Sequence, residues 1–543
     1  MAQAAASLGR NDTTRARRPT EIPRDYNFAA DVLESNLAAG RADKPVFIDA
    51  NASWTYGQLA DRAARFGAML RAKGIRREER ILICLLDTID WPTAFLGALK
   101  AGVVAVPVNT LMTESDYEFM LTDSRARMLV VSEALYPKFA GLIAKKSDLS
   151  PDLAHVVVSG ANAHGHDRFD DLLAASEPEN YTAPTTCDDI AFWLYTSGST
   201  GKPKGAVHVH ASLKLTNDLY AVPTLGIRED DVCYSVAKLF FAYGLGNAMT
   251  FPMSAGATTV LLADRPTPEG VAALLRKHPV TVFYGVPTFY AAFLASEGLP
   301  ARAETKFRRC VSAGEALPAD VGKRWSETYG CDILDGIGST EMLHIFLSNA
   351  PGATKYGTTG KPVSGYTLKL IDEHGQSVKP GEMGELIISG PTSAVMYWNN
   401  RERSRTTFMG EWTRSGDKYL QDDEGYYVYC GRNDDMLKVS GLYVSPFEVE
   451  GALQTHADVL ECAVVAWLDG DGLIKPKAFI VLKDQGKACD ALARAMQDHV
   501  KAMLAPFKYP RWVEFRADLP KTATGKIQRF RLRAEAPPNV GLP

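Results

Sequence analysis

Residues 195–205 read YTSGSTGKPKG, and Gly, Ser, Thr and Lys fill all but two of these positions. Such a stretch can hold phosphate. Gly198, Gly201 and Gly205 let backbone N–H groups converge on an anion, Thr196, Ser197, Ser199 and Thr200 add hydroxyl donors, and Lys202 and Lys204 bring positive charge. It is not the P-loop of the NTPases, GxxxxGK[ST]: the position of the first glycine is Thr196, and Lys202 is followed by Pro203. Two further strings, Ser312-Ala313-Gly314-Glu315 and Asp335-Gly336-Ile337-Gly338-Ser339-Thr340-Glu341, place small residues just after apolar runs, where a backbone can approach a flat ring. Glu341 is a hard oxygen donor of the kind Mg²⁺ takes beside a triphosphate. Asp417, in Ser415-Gly416-Asp417, offers a carboxylate to a ribose diol, with the cation of Arg432 to accompany it. Residues 520–529 read PKTATGKIQR and set Lys526 in a Gly-containing loop. Taken singly, each string is equally a turn, an ion pair or a solvated lysine.

The elements that must position these residues follow from periodicity. The uncharged run Ile190 to Leu194 predicts a buried strand that empties into the Gly/Ser/Thr loop. Upstream, Thr55 and Gln58 form a capping box for a helix with the apolar face Leu59, Ala63, Phe66 and Leu70, and Gly74 stands where a C-cap belongs. The order then runs strand Ile81 to Leu86, helix Pro92 to Ala101, strand Val103 to Val106, helix Glu114 to Leu121 and strand Met128 to Val131, which is βαβ rhythm. Continuous apolar runs at His155 to Val158, Ile190 to Tyr195 and Val280 to Tyr284 predict strands buried on both faces, as in parallel sheets. A domain boundary is expected in the polar stretch Gly431 to Asp435. Beyond it lies an α+β unit whose first helix opens on Ser445, Pro446 and Glu448, a capping box with Pro at the first helical position.

Composition narrows the class. A chain of 543 residues that is 46% hydrophobic buries several cores and is globular. A net charge of −4 and a pI near 6.2 give no electrostatic footprint for nucleic acid or an anionic membrane. The eight cysteines are scattered with no CxxC, so a reducing cytoplasm is the expected location. Residues 1–24 carry five arginines but no apolar core segment and read as a disordered tail rather than a signal. The uncharged stretch Leu239 to Ala263 is long enough to cross a bilayer, yet Gly244, Gly246, Pro252 and Gly256 interrupt it and a β-branched run ends it. A buried helix followed by a buried strand is expected there.

Together and in this order, YTSGSTGKPKG, SAGEALP, DGIGSTE, SGDKY, GRNDDMLKVSG and PKTATGKIQR resemble the adenylate-forming acyl-CoA synthetase superfamily, over about Tyr26 to Arg533. Within it, residues 238–252, 335–349 and 436–450 resemble the benzoate-CoA ligases. The resemblance implies an α/β fold, with a large N-terminal domain of layered sheets and helices (25–433) and a small α+β lid (434–543) that rotates about a hinge at Asp434. It implies two half-reactions. Carboxylate and Mg-ATP give an acyl-adenylate and pyrophosphate, and coenzyme A then displaces AMP to give benzoyl-CoA, or the thioester of 4-hydroxybenzoate or another substituted benzoate.

By the same resemblance Lys526 bridges carboxylate and phosphate, while Thr196, Ser197, Gly198, Ser199, Thr200, Gly201 and Lys204 hold the β- and γ-phosphates. Thr340 contacts the α-phosphate, Glu341 holds Mg²⁺, Asp417 and Arg432 bind ribose, and Gly314, Glu315, Asp335 and Gly336 frame adenine. Gly441 lines the pantetheine tunnel. Phe241, Ala242, Tyr243, Gly244, Ile337, Gly338 and His344 enclose an aromatic acid. Small-molecule partners, neither nucleic acid nor membrane, and a monomer or homodimer are expected. Luciferase-like oxygenases, peptide-synthetase adenylation modules and a non-catalytic acyl-adenylate-binding regulator share the same scaffold.

Overall fold

Buried apolar runs alternating with capped helices build two large sheets. The structure, a computed structural model, describes residues 21–145, 150–196, 202–432, 435–439, 442–469, 473–521 and 527–535. In the first sheet Ile190–Thr196, Val104–Pro107, Arg80–Cys84, Met128–Ser132 and His155–Ser159 lie side by side and parallel. Apart from a few end residues these strands are buried, which is why they read as unbroken apolar runs. Lys204–Val209 then pairs antiparallel with Ile190–Thr196, so the sequence between them closes a hairpin, and Met396–Tyr397 adds the edge. The helix Tyr56–Ala72 has the predicted Thr55/Gln58 capping box, and Leu59, Ala63, Phe66 and Leu70 are fully buried on its inner face.

The second sheet has a parallel centre of Pro45–Ile48, Thr258–Val260, Val232–Ser235, Val282–Gly285, Arg309–Ser312 and Ile333–Gly338. Ile345–Ser348 returns antiparallel against Ile333–Gly338, which leaves residues 339–344 as a tight hairpin turn. The stretch from Leu239 becomes consecutive helical segments, Ala242–Leu245, Gly246–Thr250 with wider π turns and Phe251–Ala255, followed by the strand Thr258–Val260, as expected. A third, antiparallel sheet contains Thr367–Ile371, Gly384–Ser389, Trp412–Gln421 and Tyr427–Arg432.

Past Leu437 the strands Val459–Leu468, Ile474–Leu482 and Trp512–Arg516 form a separate sheet. The helices Pro446–Gln454 and Asp490–Met503 contribute Val449, Leu453, Met496 and Val500 to its apolar cluster, which draws only on residues from Leu437 onward.

Four expectations change in detail. Ser445 accepts from the Glu448 N–H at 3.3 Å, but the Glu448 carboxylate turns to Lys508 Nζ at 2.6 and 2.7 Å instead of closing the box. Asp335 and Gly336 sit inside a strand, not after one, because Asp335 still pairs with Ser312 and Gly336 with Ser348. Gly205 is likewise a strand residue opposite Tyr195, and a Cβ there would stand 2.9 Å from the Trp193 ring, so the glycine serves packing. In the segment read as a tail, Ile22 packs against the core and Arg24 pairs with Asp188.

Candidate active site

The hairpin Ile190–Thr196/Lys204–Val209 is fixed by aromatic clamps. Tyr195 donates to Asp123 Oδ2 at 2.7 Å, the Trp398 indole N–H donates to the Asp123 carbonyl at 2.9 Å, and Trp193 stacks on Trp398 at 4.6 Å. Thr196 and Lys204 face each other as the last pair before the loop. Ser197, Gly198, Ser199, Thr200 and Gly201 lie outside the described residues, as do Asp434, Gly441 and Lys526. Lys202 lies over the Phe119 ring.

Lys204 meets the 339–344 turn. Its Nζ is 4.0 Å from Glu341 Oε1 and donates to the Tyr397 hydroxyl at 3.2 Å, while that hydroxyl donates to the same Glu341 oxygen at 2.6 Å. Burial lowers the Lys204 pKa, Glu341 opposes the shift, and Arg403 and Arg432 add to it. The turn is held from behind by His208, whose Nε2 donates to the Thr340 carbonyl at 2.7 Å, and by Ala394, whose N–H donates to the Glu341 carbonyl at 2.7 Å.

The ends of the parallel strands of the second sheet form the next wall, the usual ligand side of such sheets. Gly314 follows Arg309–Ser312 at φ +98°, a backbone that favours glycine, with Glu315 beside it. Asp335 is buried and its Oδ1 is without a hydrogen bond among the described residues; desolvation raises its pKa well above the carboxylate range. Asp417 and Arg432 are register partners joined at 3.3 Å, and the buried Tyr419 feels the carboxylates of both Asp417 and Asp335.

The acid-pocket residues also converge. Tyr243 donates to the Gly285 and Val311 carbonyls, each at 3.3 Å, at the ends of two adjacent strands. His344 is 3% exposed, approaches the Tyr243 carbonyl with Nε2 at 3.4 Å, and packs among Phe251, Tyr243 and Tyr220. Burial drops its pKa to about 3, so it is a neutral ring. A Cβ on Gly246 would stand 2.4 Å from the His344 ring, and one on Gly338 would stand 2.6 Å from the His344 backbone. Ala242 and His344 surround a small packing gap together with Leu213, Thr216 and Gly246, too narrow for a water molecule. Gly244 is the closest fit of all, since a Cβ there would meet the Lys238 carbonyl at 1.9 Å. Phe241 packs on Phe240, and Ile337 belongs to the partly buried rim of the second-sheet core.

The sequence reading missed Tyr397, His208 and Tyr220. Tyr397 and Tyr220 stand in strings with no chemical signature; strand pairing brings Tyr397 beside Lys204 and Glu341, and helix packing brings Tyr220 against His344. His208 had one usable signal, a histidine set within the apolar run Ala206, Val207 and Val209.

The donors fit a divalent cation beside a polyphosphate. The Glu341 carboxylate has one oxygen engaged by Tyr397, and the other takes no hydrogen bond from the described residues. Among the described residues no cluster of three or more His, Cys, Asp and Glu side chains could hold a metal by itself, so the phosphates themselves would supply the remaining oxygens. No helix among the described residues is long and apolar enough to cross a membrane.

Comparison with known proteins agrees with this geometry. A profile described as AMP-binding enzyme matches residues 34–398, and one described as the AMP-binding enzyme C-terminal domain matches residues 448–526. The chain is 60% identical to the benzoate–CoA ligase of Thauera aromatica, over 95% of this chain and 97% of that protein. It is 49% identical to the 4-hydroxybenzoate–CoA/benzoate–CoA ligase of Rhodopseudomonas palustris, over 94% of each. Among solved structures, a benzoate CoA ligase from Burkholderia xenovorans LB400 superposes with a TM-score of 0.88 at 54% identity, covering 94% of this chain and 100% of that one. The anthranilate CoA ligase AuaEII in complex with anthranoyl-AMP gives 0.90 at 43% identity, covering 94% and 98%. The chain therefore belongs to the AMP-binding enzyme family, as an enzyme of the acyl-CoA ligase type.

Proposed function

We propose that this protein is a benzoate-CoA ligase: it adenylates benzoate with ATP and passes the benzoyl group to coenzyme A, releasing AMP and pyrophosphate. The observation that carries the acid assignment is the cluster of Tyr243, Gly246, Gly338 and His344. It combines flat rings with glycines that allow close approach, and it holds a histidine that burial keeps uncharged. Burying a phenyl ring there gains a few kcal/mol, about 25 cal/mol for each Å² removed from water.

The first half-reaction joins two anions. Lys204, with Thr196 and the 197–201 loop, would offset the charge of the β- and γ-phosphates, and Thr340 would meet the α-phosphate. Glu341 would hold Mg²⁺, which when bound neutralises phosphate charge and aligns the oxygens. Asp417 and Arg432 would take the ribose, and the Gly314, Glu315, Asp335 and Gly336 walls the adenine. Lys526 would bridge the carboxylate and the α-phosphate, and the segment around Gly441 would replace it for thioester formation after rotation about Asp434.

A panel of acids assayed for CoA-dependent AMP formation tests the reading. Benzoate should give the highest kcat/KM and octanoate the lowest, and octanoate or a coumarate at the top would overturn the pocket assignment. A second reading, 4-hydroxybenzoate or another substituted benzoate, is favoured by one observation: His344 Nδ1 is buried without a partner among the described residues and could accept from a ring substituent.

A further inference from the structure

Tyr397 is assigned no contact of its own with substrate, yet it bridges Lys204 and Glu341. It is 2% exposed; its strand is paired with Lys204–Val209 through Tyr397 opposite Ala206, and its N–H donates to Ser404 Oγ at 2.9 Å. The hydroxyl stands between two opposite charges, accepting from Lys204 Nζ at 3.2 Å and donating to Glu341 Oε1 at 2.6 Å, with Lys204 and Glu341 themselves held at 4.0 Å. The short bond to the carboxylate is of the charge-assisted kind, and burial beside Glu341 raises the phenol pKa, so the proton stays on the tyrosine.

An ammonium and a carboxylate this close in a half-buried site would otherwise close to direct contact. Each would then satisfy the other. The lysine would be lost to phosphate and the carboxylate to a cation.

We propose that Tyr397 is a positioning residue that keeps Lys204 and Glu341 from pairing with each other, so that the first is free for the polyphosphate of ATP and the second for its divalent cation. The inference rests on the roles given to Lys204 and Glu341 above. It does not depend on which acid is activated.

The test is binding of Mg-ATP and Mn-ATP to the whole protein, by calorimetry and, for manganese, by electron paramagnetic resonance, with no acid present. Tyr397→Phe removes one oxygen, lets the ion pair close, and should weaken binding of the metal nucleotide about tenfold. The KM for benzoate should move less than twofold. In a Glu341→Gln background there is no ion pair to form, so adding Tyr397→Phe should cost little further. That non-additivity is a readout a merely structural tyrosine would not give.

Unchanged metal-nucleotide affinity in Tyr397→Phe, or equal losses in both backgrounds, would overturn the proposal. Should Tyr397→Phe not fold, 3-fluorotyrosine at position 397 keeps the shape and strengthens the donor. A shift in metal-nucleotide affinity then supports the role, and none overturns it. If wild-type protein binds Mg-ATP but shows no benzoate-dependent pyrophosphate exchange, the acid assignment fails while this inference still stands or falls on the binding data.

Discussion

His208 donates from Nε2 to the carbonyl oxygen of Thr340 across 2.7 Å, tying the strand after the phosphate-type loop to the turn that carries Glu341. A carbonyl can only accept, so the proton is on Nε2, and Nδ1 is left buried without a partner among the described residues. Phe192 stacks on the ring, and desolvation keeps it neutral, its pKa lowered to about 4. His208→Ala would orphan the Thr340 carbonyl and destabilise the fold by about 1–3 kcal/mol. It should also lower kcat for ATP–pyrophosphate exchange, because the turn loses its anchor. His208→Gln retains an N–H donor and should recover most of both. Urea unfolding together with the exchange assay decides it: equal loss in the two variants would mean that ring packing, not the hydrogen bond, sets the turn.

Three buried histidines give the protein a defined acid response. Burial lowers the pKa of His208 and His210 to about 4 and that of His344 to about 3. In the unfolded chain each titrates near 6.5, so below that pH the unfolded state binds protons that the folded state does not. Their contribution is therefore complete above about pH 6.5 and is lost as the pH falls toward 4, by about 1.4 kcal/mol per pH unit for each histidine. Buried Asp87, pushed up to about 6 by desolvation, acts in the opposite sense over part of that range. His344→Gln should accordingly flatten the slope of unfolding free energy between pH 4.5 and 6 relative to wild type. Parallel slopes in urea titrations would show that His344 is not held neutral.

Local signals carried most of the fold. The Thr55/Gln58 box, the helix after it and the strand at Ile190 are set by residues within a turn or a few positions of one another, so they could be read in sequence. The Ser445 box was only half legible, because Glu448 finds a longer-range partner in Lys508 that outweighs the local bond. The candidate site divides the same way. Lys204, Thr340, Glu341, Asp417 and Arg432 stand in strings of distinctive composition, whereas Tyr397 lies 193 positions from Lys204 and 56 from Glu341 and meets them only through sheet pairing. Tyr220 is likewise placed against His344 by the packing of a helix on the second sheet.

The Lys526 loop has a braced mouth. Lys521 and Ile527 form an antiparallel bridge, the Gln528 N–H donates to the Pro520 carbonyl at 2.7 Å, and Arg529 is paired with the buried Glu450 at 2.7 Å. Such a frame can carry a side chain into one pose and withdraw it as a unit. Lys526→Ala should abolish acyl-adenylate formation and largely spare thioester formation from supplied benzoyl-adenylate. The two half-reactions measured separately check this, and equal loss in both would remove the two-pose assignment.

The acid pocket can be probed without touching any polar group. A Cβ at Gly246 would stand 2.4 Å from His344 Cδ2 and 2.5 Å from Nε2, closer than any real contact, and the ring behind is already wedged against Phe251 at 4.3 Å. Gly246→Ala must therefore displace the His344 ring. Overpacking of this kind costs about 1–3 kcal/mol, and here the displaced ring is one assigned to the acid site. The expected result is a loss in kcat/KM for benzoate of about tenfold or more, carried by KM. Small ring substituents should make the loss larger. If Gly246→Ala leaves the KM for benzoate unaltered while the protein remains folded, His344 does not border the acid.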